Sequence, residues 1–110
     1  MKSRVYGTTF TADGDSAIYA VAEPAGNAHT EPVGFSVSGS WAGATVTAYA
    51  CLNPAASPQT FAAIPFAAWT SDTADLLYMP TGSALKFTCS GSGSPVPSIA
   101  LTVRGDINKA

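Results

Sequence analysis

Phe35 to Cys51 reads FSVSGSWAGATVTAYAC. Phe35 and Val37 alternate with Ser36 and Ser38, and Ala44, Val46 and Ala48 alternate with Thr45, Thr47 and Tyr49. A period of two, apolar on one side and hydroxylated on the other, is the pattern of a half-buried antiparallel strand. Gly39 and Gly43 bracket Ser40, Trp41 and Ala42. Glycines there allow the positive φ that a tight reversal needs. The stretch therefore predicts two short strands joined as a hairpin. Trp41 at its end either folds over the end of the core or projects to a partner, and the first is the commoner fate of a single large aromatic.

The same alternation extends along the chain. Arg4 to Phe10 (RVYGTTF) predicts a strand, Asp13-Gly14 a turn, and Ser16 to Val21 (SAIYAV) a returning strand. Glu23 to Pro32 is a loop rich in breakers. Residues 1–32 are thus expected to form an N-terminal hairpin or an arm that reaches a neighbour, with Tyr6, Phe10 and Tyr19 as its anchors. The bland alternative is that they complete the same sandwich. Leu52 to Pro58 is a second loop, whose prolines cannot donate to a ladder. Gln59 to Ile64 predicts a short strand, Pro65 to Trp69 either irregular chain or one helical turn, and Leu76 to Tyr78 a strand running into Pro80. Ala84 to Ser90 places Leu85, Phe87 and Cys89 inward, and Ser98 to Arg104 does the same with Ile99, Leu101 and Val103. The tail after Arg104 is expected to fray. About eight short strands between Gly/Pro/Ser turns, with no convincing helix, predict an all-β fold: a single antiparallel β-sandwich or small jelly roll over residues 1–110.

Charged residues make up 11% of the chain and the net charge is -2. Its five cations, Lys2, Arg4, Lys86, Arg104 and Lys109, are scattered, so no phosphate-tracking groove for nucleic acid is expected. No apolar run approaches the ~20 residues of a membrane helix. Lys2 and Arg4 are followed by TTFTADGDSA rather than an apolar segment, so the sequence predicts synthesis and retention in a cytoplasm. Cys51 falls in step with Thr47 and Tyr49, whereas Cys89 shares the apolar register. The two thiols are expected to point to different faces and stay free, unless a bulge near Ala50 reverses the parity.

No residue set carries catalytic chemistry in a recognisable form, and no enzyme, cofactor or metal is expected. His29 is the only histidine and lies in a Pro/Gly loop, with no nucleophile elbow to serve. Asp13 and Asp15 flank Gly14 but lack the further carboxylates of a calcium loop. Asp72 and Asp75 read as charges beside a surface turn rather than a glycosidase pair. Gly91-Ser92-Gly93 lacks the Lys-Ser/Thr of a phosphate loop. Arg104-Gly105-Asp106 matches an integrin tripeptide by chance. Cys51 and Cys89 lack the additional ligands of a zinc site.

At VSGSWAGATVTAYACLNP the chain resembles a group of small tailed-bacteriophage virion proteins. The resembling pieces are Phe10 to Ser16, Val37 to Thr47, Phe61 to Ile64, Gly82 to Gly91 and Ser98 to Arg104, spread over most of the chain in a fixed order. Asn53 to Pro58 departs from the pattern, which tends to an Asp-Gly turn there. The resemblance implies a structural part of the particle: a capsid decoration or cement protein, a homotrimer on the capsid surface, contacting the major capsid protein. A tail, baseplate or fibre component is the nearest alternative. Tyr6, Phe10, Tyr19, Trp41 and Trp69 are the candidate partner contacts. Two other classes stay open. A carbohydrate-binding module would use Trp41, Trp69 and Tyr78 as a stacking platform, and a secreted adhesin would need a Cys51–Cys89 bridge.

Overall fold

The computed structural model describes residues 3–22 and 30–109. They form ten strands and no helix. These are β1 (Arg4–Phe10), β2 (Gly14–Asp15), β3 (Tyr19–Val21), β4 (Thr30–Ser40), β5 (Thr45–Cys51), β6 (Ala62–Trp69), β7 (Thr73–Pro80), β8 (Ala84–Ser90), β9 (Ser98–Gly105) and β10 (Ile107–Lys109). One sheet runs β1-β9-β4-β7. The other runs β10-β3-β8-β5-β6, with β2 beside β8. Every pairing is antiparallel. The architecture is the expected β-sandwich.

The hairpin predicted around Trp41 does not form. β4 pairs with β7 and β9 in the first sheet, and β5 pairs with β6 and β8 in the second. The turn between them carries the chain across the sandwich. The reason lies in the same alternation that suggested a hairpin. Both strands have one apolar side, Phe35 and Val37 on β4 and Val46 and Ala48 on β5, and all four residues are buried. Stacking those sides face to face buries both, whereas laying them edge to edge would leave one sheet face uncovered. At the crossing, the Ala44 N–H donates to the Trp41 carbonyl at 2.9 Å. The two central residues, Ala42 and Gly43, have φ of 50° and 81°, both in the left-handed region.

The N-terminal segment likewise crosses rather than folding on itself. β1 pairs along its whole length with β9, while β2 and β3 pair with β8 in the opposite sheet. Asp13-Gly14 therefore turns the chain between sheets. Among the described residues of this segment the strands are woven into the sandwich. The tail also departs from expectation: Ile107 is fully buried, and β10 pairs with β3. An isoleucine that closes the end of the core holds the last strand in place.

The core between the sheets is one cluster. β4 contributes Val33, Phe35 and Val37, and β9 contributes Ile99, Leu101 and Val103. From the other sheet come Val46 and Ala48 of β5 and Leu85, Phe87 and Cys89 of β8. Phe35 lies 4.4 Å from Trp69 and 5.7 Å from Phe87 between ring centroids, so three aromatic rings tie the two sheets together. Such pairs add about 0.5–1.5 kcal/mol beyond the area they bury.

Three substitutions test this packing by chemical denaturation. Phe87→Ala, which opens a hole among these rings, is expected to destabilise the fold by about 3–5 kcal/mol. Gly39 has φ 138°, and a Cβ there would overlap the Ser98 carbonyl. Gly39→Ala is thus expected to destabilise by more than about 2 kcal/mol. Ala42→Gly has the opposite sign, with a gain of about 1 kcal/mol from relief of a left-handed alanine. Were the Trp41 turn a hairpin away from Ser98, Gly39→Ala would be nearly neutral.

Candidate interaction surface

The five aromatic residues expected to meet a partner all pack inward. Phe10 and Tyr19 belong to the core, and Tyr6 lies against it with its ring 5.5 Å from Tyr19. Burial pushes the Tyr19 hydroxyl above its ordinary pKa. Trp69 faces Phe35 and Phe87 because its register opposite Val46 puts it on the inner side of β6. Trp41 closes the end of the core. Its Nε1–H donates to Asp72 Oδ1 at 2.8 Å, and the Gly39 N–H donates to the same oxygen at 3.1 Å. Of the three rings of a sugar platform, Tyr78 alone is exposed, opposite Pro32 on the first sheet. Trp69 belongs to the second sheet and faces inward, so the three rings do not share a surface.

The polar groups are engaged locally and do not converge. Asp13 Oδ1 accepts from the Ser92 N–H at 2.8 Å, and the Asp13 N–H donates to Ser92 Oγ at 3.0 Å. Asp15 accepts from the Thr88 hydroxyl at 2.7 Å and from Lys86 Nζ at 3.1 Å. These bonds pin the β1–β2 crossing to the end of β8. Lys86 also lies 4.6 Å from the centre of the Phe61 ring, a cation–π contact. Asp75 accepts from the Leu76 N–H at 2.8 Å, away from Asp72. No group of three or more His, Cys, Asp or Glu able to hold a metal occurs among the described residues. His29 lies outside the described residues.

Both cysteines are free and buried. Cys51 stands opposite Ala84 and Cys89 opposite Val46, at the two ends of the β5–β8 ladder, too far apart to bridge. The ladder runs without a bulge, so the parity expected from the sequence holds. Burial raises the pKa of the Cys89 thiol, which disfavours the reactive thiolate.

The feature that sequence reading missed is the free edge of β6. Thr47 pairs with Ala68 and Tyr49 with Ala63, so residues 64–67 bow out opposite Ala48 alone. Ile64 packs on the core and Ala67 is buried, while Pro65 and Phe66 face outward. Phe66 is fully exposed and has φ 61°. A non-glycine residue in that region is strained by about 1–3 kcal/mol and persists only where the surroundings hold it. Within the single chain its ring packs on nothing that would offset this. Beside it, at the β5–β6 end, lies a hollow of about 390 Å³ lined by Ala50, Leu52, Asn53, Ala56 and Ala62, with Leu52 itself exposed. The surrounding sequence is neutral: from Pro32 to Ser71 there is no Asp, Glu, Lys, Arg or His. That uncharged run was legible in the sequence, but the bulge that lifts Phe66 out was not. Edge strands are ordinarily protected by charge, by proline or by a bulge, and this one uses the last two.

The chain matches no known protein family and no curated protein.

Hydrogen bonds from the Trp41 indole and then the Gly39 N–H hold Asp72 below the ordinary carboxylate pKa of 3.8. Bonds from Ser92 do the same for Asp13, and bonds from the Thr88 hydroxyl and then Lys86 for Asp15. Each group favours the fold when ionised. That contribution is whole above the unfolded value of 3.8 and is lost as pH falls through the lower folded values. Stability is thus expected to be level above about pH 5 and to decline below it. Asp72→Ala should shrink the decline and shift tryptophan emission to the red. An unchanged spectrum would show that Trp41 does not rest on Asp72.

Proposed function

We propose that this protein is a non-enzymatic structural subunit of a bacteriophage virion that decorates the capsid surface and stabilises it by bridging capsid subunits. The observation that carries the proposal is the neutral, exposed β6 edge with Phe66 lifted from it. Such an edge exposes apolar surface to water unless another protein covers it. The ordered resemblance of Phe10 to Ser16, Val37 to Thr47 and Gly82 to Gly91 to small virion proteins supports the same reading. Those segments form the two crossings between sheets and the strand β8 beside them.

The physics of such a subunit is linkage. A protein that binds only the assembled shell stabilises that state by about 2.7 kcal/mol per site at a hundredfold excess over its dissociation constant. Many copies on one shell multiply a modest contact. The subunit itself supplies a rigid platform. Its strands are joined by aromatic packing in the core, and its ionised side chains are tied down in the turns.

Cosedimentation of the purified chain with tailed-phage capsids stripped of their outer proteins tests this reading. Saturable binding is expected, at a fixed ratio to the major capsid protein, with a rise of several degrees in the temperature at which the shells break. Absence of binding to shells, with retained binding to isolated tails or to glycans, would overturn it.

A further inference from the structure

We propose that two copies of this chain pair through their β6 edges, with Phe66 of each seated in the hollow lined by Ala50, Leu52, Ala56 and Ala62 of the other. The knob and the hollow belong to the same edge strand. Phe66 stands at the summit of the bulge, and Ala62, four positions earlier, borders the hollow. In a single copy the two cannot meet. When two identical edges lie antiparallel about a two-fold axis, residue i of one faces residue j of the other, and j faces i. Phe66 then reaches Ala62 of the second copy, and the same contact is made twice.

Charge favours the same occupant. A two-fold contact brings a patch against itself, so every charge on the patch meets its own copy and repels it. The segment that carries both knob and hollow has no charged residue from Pro32 to Ser71, and Lys86, whose ammonium reaches over the Phe61 ring beside it, is paired with Asp15, so little like charge meets its own copy. A partner recognised by charge complementarity would find only the Lys86–Asp15 pair to read beside it. The local backbone also sets the form of the contact. Pro65 has no N–H to give, and residues 64–67 break the ladder, so β6 cannot template an open-ended run of added strands. What remains is a closed contact built on an aromatic anchor in a mostly apolar recess, with Asn53 and Thr60 as its polar lining, the usual form of an interface hot spot. The left-handed φ of Phe66 accompanies a ring held fully in solvent, as an unfilled anchor is.

This pairing covers the same β6 edge that supports the virion reading, and it is tested on the purified full chain without shells, so that either can fail without the other. Light scattering over a concentration series, with wild type, Phe66→Gly and Leu52→Glu, reads it directly. Wild type is expected to reach a mass of two copies. Phe66→Gly removes the anchor and relieves the backbone, so its dimer should weaken by at least about 30-fold, as truncating an aromatic hot spot does. Its melting temperature, extrapolated to the dilute monomer, should rise. A purely structural Phe66 would move neither quantity in this combination. Leu52→Glu should weaken the dimer without the thermal gain. Mixing the two variants should give a heterodimer tighter than either variant with itself but weaker than wild type, because the intact Phe66 of one meets the intact hollow of the other at one of the two contacts. A wild type that stays monomeric at the highest attainable concentration, a mass of three copies, or a mixture that pairs no better than either variant alone would overturn the proposal.

Discussion

The structure depends on Phe35, Trp69 and Phe87 meeting across the two sheets. Phe35 comes from the middle of the first sheet, and the other two from neighbouring parts of the second. The three come from strands far apart in the sequence, and no local turn can bring them together. They meet because each sits on the apolar side of an alternating strand and both sides need cover. That requirement forces the chain across the sandwich at Trp41–Ala44. The crossing in turn lays Gly39 against Ser98 and places Trp41 over the end of the core, where Asp72 holds its indole.

Much of this was legible in the residues. Alternation located β1, β8 and β9 almost to the residue, and it assigned Leu85, Phe87, Ile99, Leu101 and Val103 to the core. It also put the two thiols out of reach of each other. What alternation cannot supply is the partner of each strand. Phe35 to Cys51 shows two amphipathic strands and a tight turn whether they pair edge to edge or stack face to face. Asp13-Gly14 is equally at home in a hairpin or a crossing. The errors at both places share one cause: turn chemistry is local, while the choice of sheet is set by what the other strands have left uncovered. Residues 65–69 were ambiguous for a related reason. A bulge of four residues against one has no period, and so it leaves no pattern to read.

The same cause bears on the five aromatic residues read from the sequence as candidate partner contacts. Aromatic residues are reasonable anchors when burial is unknown, which is why the sequence points to Tyr6, Phe10, Tyr19, Trp41 and Trp69. Once the strands are assigned, each has a place in or against the core. Among the described residues, Tyr78 and Phe66 are the exposed large aromatics, and Phe66 lies in the stretch without a pattern. The division of charge along the chain follows this geometry. Ionised groups cluster in the crossings near Asp13 and Asp15 and at the Asp72 end, where they order turns. Strands β5 and β6 carry none of their own, and β6 is where the edge stays open. A surface kept neutral and lifted by a strained bulge suits contact with other protein, and the decoration role is proposed on that footing.

The most direct measurement is the set of cross-strand proton contacts in the isotope-labelled protein by nuclear magnetic resonance. The account predicts backbone contacts between Val37 and Leu101 and between Val46 and Cys89, with ring contacts joining Phe35 to Phe87. It predicts no ladder between residues 35–40 and 45–50. A continuous ladder between those two segments would contradict it, because both would then lie in one sheet and the aromatic core between the sheets would not exist.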